Sequence, residues 1–204
     1  MTNAVLIGCG GKNAKPIVDA CIGRFTKIYN IGSTELHNDK ITVTNIKVDW
    51  KTFHLAELHK TCKDIEDVGF MFFNQNGSSL SGADFDRSFG VVDTIVKIKS
   101  WTQSHWISCQ MPFAIIQHLA PKFTKDVKLG WMLSGFIDYR KKDVYSYPDY
   151  SANKFTNYVI MKSFSKTFNC FGIDPDFTKQ NLPAFLNTIF ENNENYNGKV
   201  FGID

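Results

Sequence analysis

Short apolar runs alternate with stretches of helical periodicity along the whole chain. Residues 4–7, 27–31, 41–48, 68–73 and 127–133 read as strands. Helical patterns follow over 13–25, from residue 51, over 101–119 and from 150 to about 167. Pro112 lies inside the third of these and predicts a kink or a late start. A further helix is expected over 182–190 and a last strand within 197–204. This alternation constrains the chain to the α/β class, with a doubly wound, mainly parallel sheet and helices on both faces. Ligands of such sheets bind beyond the carboxyl ends of the strands. Gly8, Asp49, Asn74 and Ser134 close four of the strands, so all four should open onto one edge.

The first strand runs into Gly8-Cys9-Gly10-Gly11, and a helical pattern begins near Asn13. Strand, glycine turn and helix together make a phosphate-binding unit, because small residues let backbone N–H groups approach a pyrophosphate at the helix N-terminus. A turn with no ligand is the simpler alternative. Lys12 also sits in this turn, where its ammonium can contact phosphate directly. The second strand ends in Gly32-Ser33-Thr34. In dinucleotide folds an acid at that point binds the ribose hydroxyls of NAD. No acid stands at the immediate strand end, and Glu35 comes slightly late. Ser33, Thr34 and Lys12 leave room and positive charge for a 2′-phosphate, so NADP(H) is favoured over NAD(H).

Further on, the apolar run 127–133 ends at Ser134, and Tyr150 opens a helical segment that reaches Lys154 one turn later. Residues four apart on a helix share a face. A lysine ammonium near a phenol favours the phenolate, which can then work as an acid or base nearer to neutral pH. A serine hydroxyl at a neighbouring strand end can bind the oxygen that gains or loses the proton. Such a site suits hydride chemistry at a carbonyl or alcohol beside a nicotinamide. Tyr147 competes for the acid role, but its fourth neighbour is Ser151, so Lys154 assigns that role to Tyr150.

In this order of features, from Ala4 to Asp204, the sequence resembles the short-chain dehydrogenase/reductase family. The resemblance implies a Rossmann-like fold and further site residues. The family's glycine pattern (Gly, three residues, Gly, one residue, Gly) falls on Gly8, Lys12 and Ala14, so only its first glycine is kept. The family's Asp at the third strand end meets the adenine amino group and the next backbone amide reads a ring nitrogen; these places fall on Asp49 and Trp50. Asp49 also reads as the cap of the helix that follows. The family's Asn-Asn-Ala-Gly, packed against the ribose and nicotinamide side of the cofactor, falls on Asn74-Gln75-Asn76-Gly77, with the middle two changed. Asn-Gly is equally a generic turn signal. The family's relay asparagine, which holds a water behind the lysine, falls by spacing near Ser108 or Cys109. The loop 138–143 makes the Ser134–Tyr150 separation slightly longer than usual. Beyond the Tyr150 helix, the stretch 173–178 echoes the family's Pro-Gly turn, with Asp176 in place of Gly. The substrate side looks trimmed at the C-terminus. Helices such as 101–119 and the one from Tyr150 commonly pair between subunits in the family, which implies a homodimer or homotetramer.

Composition narrows the partners. A single domain spanning 1–204 is expected, since no repeat, low-complexity tract or linker divides the 204 residues. A 43% hydrophobic, 21% charged chain is of ordinary globular type. Its net charge of +3 is too small to suggest nucleic acid. No apolar run approaches a membrane span and no signal peptide is evident, while five widely spaced Cys read as reduced thiols, so a cytoplasmic protein is expected. His54 and His59 lie five residues apart and diverge on a helix, so no metal site is expected there. The expected partner is a small carbonyl or alcohol substrate.

Overall fold

The alternating pattern becomes seven strands: β1 (Asn3–Ile7), β2 (Lys27–Gly32), β3 (Thr42–Lys47), β4 (Val68–Phe73), β5 (Phe123–Met132), β6 (Asn169–Ile173) and β7 (Lys199–Phe201). All neighbours pair in parallel, in the order β3-β2-β1-β4-β5-β6-β7. The structure, a computed structural model, describes residues 1–10, 14–75, 91–134, 137, 148–174, 182–191 and 196–202. Between the strands run α1 (Ala14–Cys21), α2 (Leu58–Cys62), α3 (Val91–His105), α4 (Met111–Leu119), α5 (Pro148–Phe164) and α6 (Leu182–Glu191).

Alternating side chains along each strand divide the core into two layers. Ala4, Leu6, Phe70, Phe72 and Phe171 face α1 and α6. Val5, Ile7, Met71, Phe73 and Trp131 face the opposite way, toward apolar residues of α2, α4 and α5. Most of these strand side chains are fully buried, each worth about 1.5–3 kcal/mol relative to exposure. Aromatic rings fill the centre. Trp131 stacks on Phe73 at 5.1 Å, and Phe70 meets Phe190 edge-on at 4.9 Å. The central β4–β5 pair leaves no room for a side chain at Gly130, where a Cβ would lie 2.6 Å from the Phe72 ring and 2.7 Å from that of Phe171. Gly130→Ala should therefore destabilise the fold by about 1–3 kcal/mol, read as a lower urea midpoint at unchanged m.

Several boundaries differ from the sequence expectation. The first helix stops at Cys21 rather than 25, because Gly23 turns the chain at φ +75°. From residue 51 the chain makes a tight turn and a short 3-10 segment, Leu55–Glu57, before α2. The third helix begins at Val91, ten residues earlier than its aromatic stretch suggested. It is interrupted by a five-residue π turn, Trp106–Gln110, and Pro112 falls harmlessly in the first turn of α4. The fifth strand starts at Phe123 rather than 127. A sixth strand forms directly before the turn-like stretch, pairing Leu129 with Cys170 and Met132 with Ile173. That stretch from 175, with Asp176, lies outside the described residues, as do Tyr147 and the loop 138–143.

Candidate active site

The parallel order carries Gly8, Asp49, Asn74 and Ser134 to the carboxyl-end edge of the sheet, each just beyond its strand. Gly8 takes φ +68°, a conformation favoured by glycine. Its N–H donates to the Ile31 carbonyl at 3.0 Å, and Asn74 N–H donates to the Ile7 carbonyl at 2.9 Å. The Asn74 amide group also donates to the Gly8 carbonyl at 3.4 Å, tying the first and fourth strand ends together.

A cavity of about 340 Å³ opens at this edge. Gly8, Gly32, Asn74 and Gln75 at the strand ends line it together with Gly10, Ser33, Thr34, Trp50 and Ile107. A Cβ on Gly8 would lie 2.5 Å from Gln75 Cγ, and one on Gly10 would overlap the Thr34 side chain. Gln75 is 6% exposed, and neither atom of its amide group has a hydrogen-bond partner among the described residues. An unmatched buried amide of this kind costs about 1–3 kcal/mol. Glycines that hold the backbone open and an unmatched amide at the lining fit a polar ligand such as one half of a dinucleotide.

The lining at Ser33 and Thr34 is held by two asparagines. Asn30 Nδ2 donates to the Thr34 carbonyl and to Asn45 Oδ1, both at 2.8 Å. Asn45 then clasps Leu36 from both sides: Leu36 N–H donates to Asn45 Oδ1 and Asn45 Nδ2 donates to the Leu36 carbonyl, each at 2.9 Å. The loop bearing Ser33 and Thr34 is thereby fixed before any ligand arrives. Trp50 enters the cavity lining, while Asp49 Oδ1 accepts from Lys51 N–H at 3.0 Å, which is the capping role open to it. Gly11, Lys12, Asn13, Asn76 and Gly77 lie outside the described residues.

The second group of site residues lies toward β5 and α5. Ser134 is buried just beyond β5. Lys154 is buried as well, and its Nζ donates to the Met132 carbonyl at 2.9 Å. The same Nζ lies 5.4 Å from the centre of the Tyr150 ring. Lys154 thus bridges the strand end that carries Ser134 and the phenol of Tyr150. Burial lowers its pKa from 10.5 to about 8. Cys109 lies near enough to interact, but burial pushes its thiol up to about 12, so near neutral pH the sulfur offers little countercharge.

Behind Lys154, Asn153 joins α5 to α3 and the π turn. Its Nδ2 donates to Ser104 Oγ at 2.9 Å, its Oδ1 lies 2.9 Å from His105 Nδ1, and its carbonyl accepts from Cys109 Sγ at 3.3 Å. Ser108 is buried within the same turn. Asn153 thus places an amide beside the π turn that carries Ser108 and Cys109. The His59 ring meets that of His118 edge-on at 5.9 Å. Among the described residues no group of three His, Cys, Asp or Glu is placed to hold a metal. No described helix is long and apolar enough to cross a membrane.

Asn30, Asn45, Asn153 and Ile107 were not singled out in the sequence. The signal for Asn30 was an amide between Tyr29 and Ile31 in an otherwise apolar strand.

No protein-family model and no curated protein matches the sequence. Solved structures do match. A short chain dehydrogenase family protein from Francisella tularensis superposes with a TM-score of 0.67 at 16% identity, over 93% of this chain and 75% of that one. A carbonyl reductase from Pseudomonas aeruginosa gives 0.68 at 10% identity, over 98% and 94%. A Burkholderia multivorans structure of short-chain dehydrogenase/reductase type, with bound NADP, gives 0.62 at 12% identity, over 89% and 82%. The chain has the Rossmann-like fold of these short-chain dehydrogenases/reductases, over nearly its whole length.

Proposed function

We propose that this chain is an NAD(P)(H)-dependent oxidoreductase that interconverts a carbonyl and a secondary alcohol. The observation that carries this reading is Lys154, buried, fixed to the Met132 carbonyl and 5.4 Å from the Tyr150 ring centre. A nicotinamide bound beside Tyr150 would supply or accept the hydride. Ser134 holds the substrate oxygen. Tyr150 gives that oxygen a proton in reduction and takes it back in oxidation. Lys154 favours the phenolate and contacts the ribose of the bound nucleotide. Ser108 and Asn153 stand behind the lysine as positioning groups. The cofactor-binding residues are Gly8, Gly10, Gly11, Lys12, Asn13, Ser33, Asp49, Trp50, Asn74, Gln75, Asn76 and Gly77, together with Tyr150 and Lys154. The test is consumption of NADPH with a panel of aldehydes and ketones; a protein that binds NADPH but reduces none of them fits the second reading. That reading is a nucleotide-binding protein without turnover, and the changed glycine pattern, with Lys12 and Ala14 at two of its places, and Ser108 at the relay place favour it.

NADP(H) is the favoured cofactor, because Ser33 and Thr34 present no acid to a 2′-phosphate and Lys12 brings positive charge. Lys12→Ala should reduce the preference for NADPH over NADH several-fold in direct binding measurements. Equal affinities of the unsubstituted protein for both nucleotides would contradict the preference.

A homodimer or homotetramer formed through α3, α4 and α5 is part of the proposal. Ile98, Trp101, Phe113, Phe155 and Val159 expose between 38% and 58% of their surfaces on these helices. A largely apolar groove of about 660 Å³ runs beside them, lined by Trp106, Phe113 and Ile160. Exposed apolar area of this kind marks a contact surface. A cytoplasmic location is proposed on the basis of five buried, unpaired thiols, and a single domain on the one seven-stranded sheet that runs through the chain.

A further inference from the structure

We infer that a cavity at the amino-end edge of the sheet binds a free α-amino acid as its zwitterion. The cavity measures about 360 Å³ and lies between the turn after α1, the end of α6 and the lower parts of β4 and β5. Gly8, Asn74 and Ser134 stand at the opposite, carboxyl-end edge. An occupant here therefore takes no part in hydride transfer, and the inference does not depend on the nucleotide reading.

The charged side chains on the lining are Arg24, Asp126 and Lys128. A departure from regular strand pairing shapes this place. Val68 pairs with Phe123 and Phe70 with Lys128, so two steps along β4 match five along β5. The extra residues bulge out of the ladder and carry Asp126 with them. Thr124 Oγ1 donates to the Val68 carbonyl at 3.3 Å and Val127 is buried, which fixes the bulge. Lys128 rejoins the ladder half-buried. Asp126 and Lys128 stand two residues apart, yet neither has an ion pair or hydrogen-bond partner for its side chain among the described residues. Arg24 gives one nitrogen to Glu191 and lies 5.6 Å over the Phe190 ring centre. Those two contacts hold the guanidinium in place and leave it further N–H donors.

The ligand class follows from these groups. Arg24 and Lys128 only donate, so they call for a carboxylate. Asp126 only accepts and calls for a cationic donor. It also repels a second negative charge, which disfavours phosphates and dicarboxylates. With Glu191 set against Arg24 and Asp126 against Lys128, the site is without net charge, as a zwitterion requires. An α-amino acid carries its ammonium and carboxylate on one carbon, and so answers both unpartnered charges at once. Phe25 and Phe190 complete the lining, their rings meeting edge-on at 5.4 Å. They offer apolar surface to the ligand's side chain, which selects an aliphatic or aromatic amino acid.

Calorimetric titration of the full chain with L-leucine and with L-phenylalanine tests this. At least one of them should bind saturably, one per chain, with a Kd of about 1 mM or tighter. For the amino acid that binds, the analogue without the ammonium (isocaproate or hydrocinnamate) and the analogue without the carboxylate (isoamylamine or phenethylamine) should each bind at least about tenfold more weakly. Lys128→Met keeps an unbranched chain at the position paired with Phe70 and removes the charge. It and Asp126→Asn should each weaken the amino acid at least about tenfold. Asp126 is exposed, so Asp126→Asn decides the matter should Lys128→Met fail to fold. Saturating NADPH should leave the amino acid's affinity unchanged. No binding of either amino acid up to about 10 mM overturns the inference. So do analogues that bind as well as the amino acid, unchanged affinity in either folded variant, or competition by NADPH, which would place the amino acid at the other edge.

Discussion

Tyr150→Phe is expected to lower turnover by about 10²–10⁴-fold, the usual worth of a positioned acid or base, while nucleotide affinity changes less than about twofold. The phenol is half-buried on α5 with Lys154 Nζ 5.4 Å from its ring centre. Removing one hydroxyl leaves that ring, and so the packing around the lysine, in place. A free tyrosine titrates near 10. For alcohol oxidation near neutral pH the phenolate must be reached several pH units lower, and a nearby ammonium acts in that direction. Lys154→Ala should impair both turnover and nucleotide binding, since the proposed mechanism has the lysine serve the phenol and the ribose. Tyr147→Phe is the control and should do little. Paired measurements of turnover and Kd for the three variants check the assignment; near-normal turnover in Tyr150→Phe would remove Tyr150 from the chemistry.

Lys154→Met should make the protein more stable near pH 7, at the expense of function. The folded protein releases the Lys154 proton near pH 8, against 10.5 for an ordinary lysine. At about 1.4 kcal/mol per pH unit this amounts to about 3 kcal/mol. The folded pKa is depressed, so between about 8 and 10.5 the unfolded chain binds more protons and stability rises with pH. Below about 8 the full penalty is present. The stability advantage of Lys154→Met should accordingly shrink by up to about 3 kcal/mol as pH rises from 7.5 to 10.5. The buried thiols oppose this trend in both proteins. Burial raises Cys62 to about 11 and Cys21, Cys109 and Cys170 to about 12. Their contribution is present below about 9 and is lost as pH rises beyond it. The difference between the two proteins cancels Cys21, Cys62 and Cys170, whereas Cys109 interacts with Lys154, so the comparison is cleanest between about 7.5 and 9, before the thiols titrate. Urea unfolding at several pH values reads it directly, and a difference independent of pH would show that the lysine is not held in a desolvated site.

The strands were legible because the sheet is covered on both faces, so its inner strands read as continuous apolar runs: Val5 and Ile7 face one layer, Ala4 and Leu6 the other, and all four are buried. The edge at which Gly8, Asp49, Asn74 and Ser134 gather followed from the parallel order. The pair Tyr150 and Lys154 was legible because one turn of helix fixes their common face. The interruption at Trp106–Gln110 was not, since a π turn adds one residue without a distinctive composition. That addition lies in the stretch that carries Ser108 and Cys109, where spacing alone had sought the relay residue. Asn153 could not be found by spacing, because its partners Ser104, His105 and Cys109 come from a helix far away in sequence. The Asn30–Asn45 clasp escaped for the same reason: its content is a contact between neighbouring strands and a loop. Asp49 read equally as a nucleotide ligand and as a cap, and one of its oxygens does cap the following turn.

The central claim is that the strand-end cavity and the Tyr150–Lys154 pair together receive a nicotinamide nucleotide. Titration of the purified protein with NADPH, followed by nicotinamide fluorescence, tests it most directly. A saturable change in emission at one nucleotide per chain, weakened in Lys154→Ala and nearly unaltered in Tyr150→Phe, is the predicted result. Emission identical to that of free NADPH up to millimolar concentrations, with NADH giving the same answer, would contradict it.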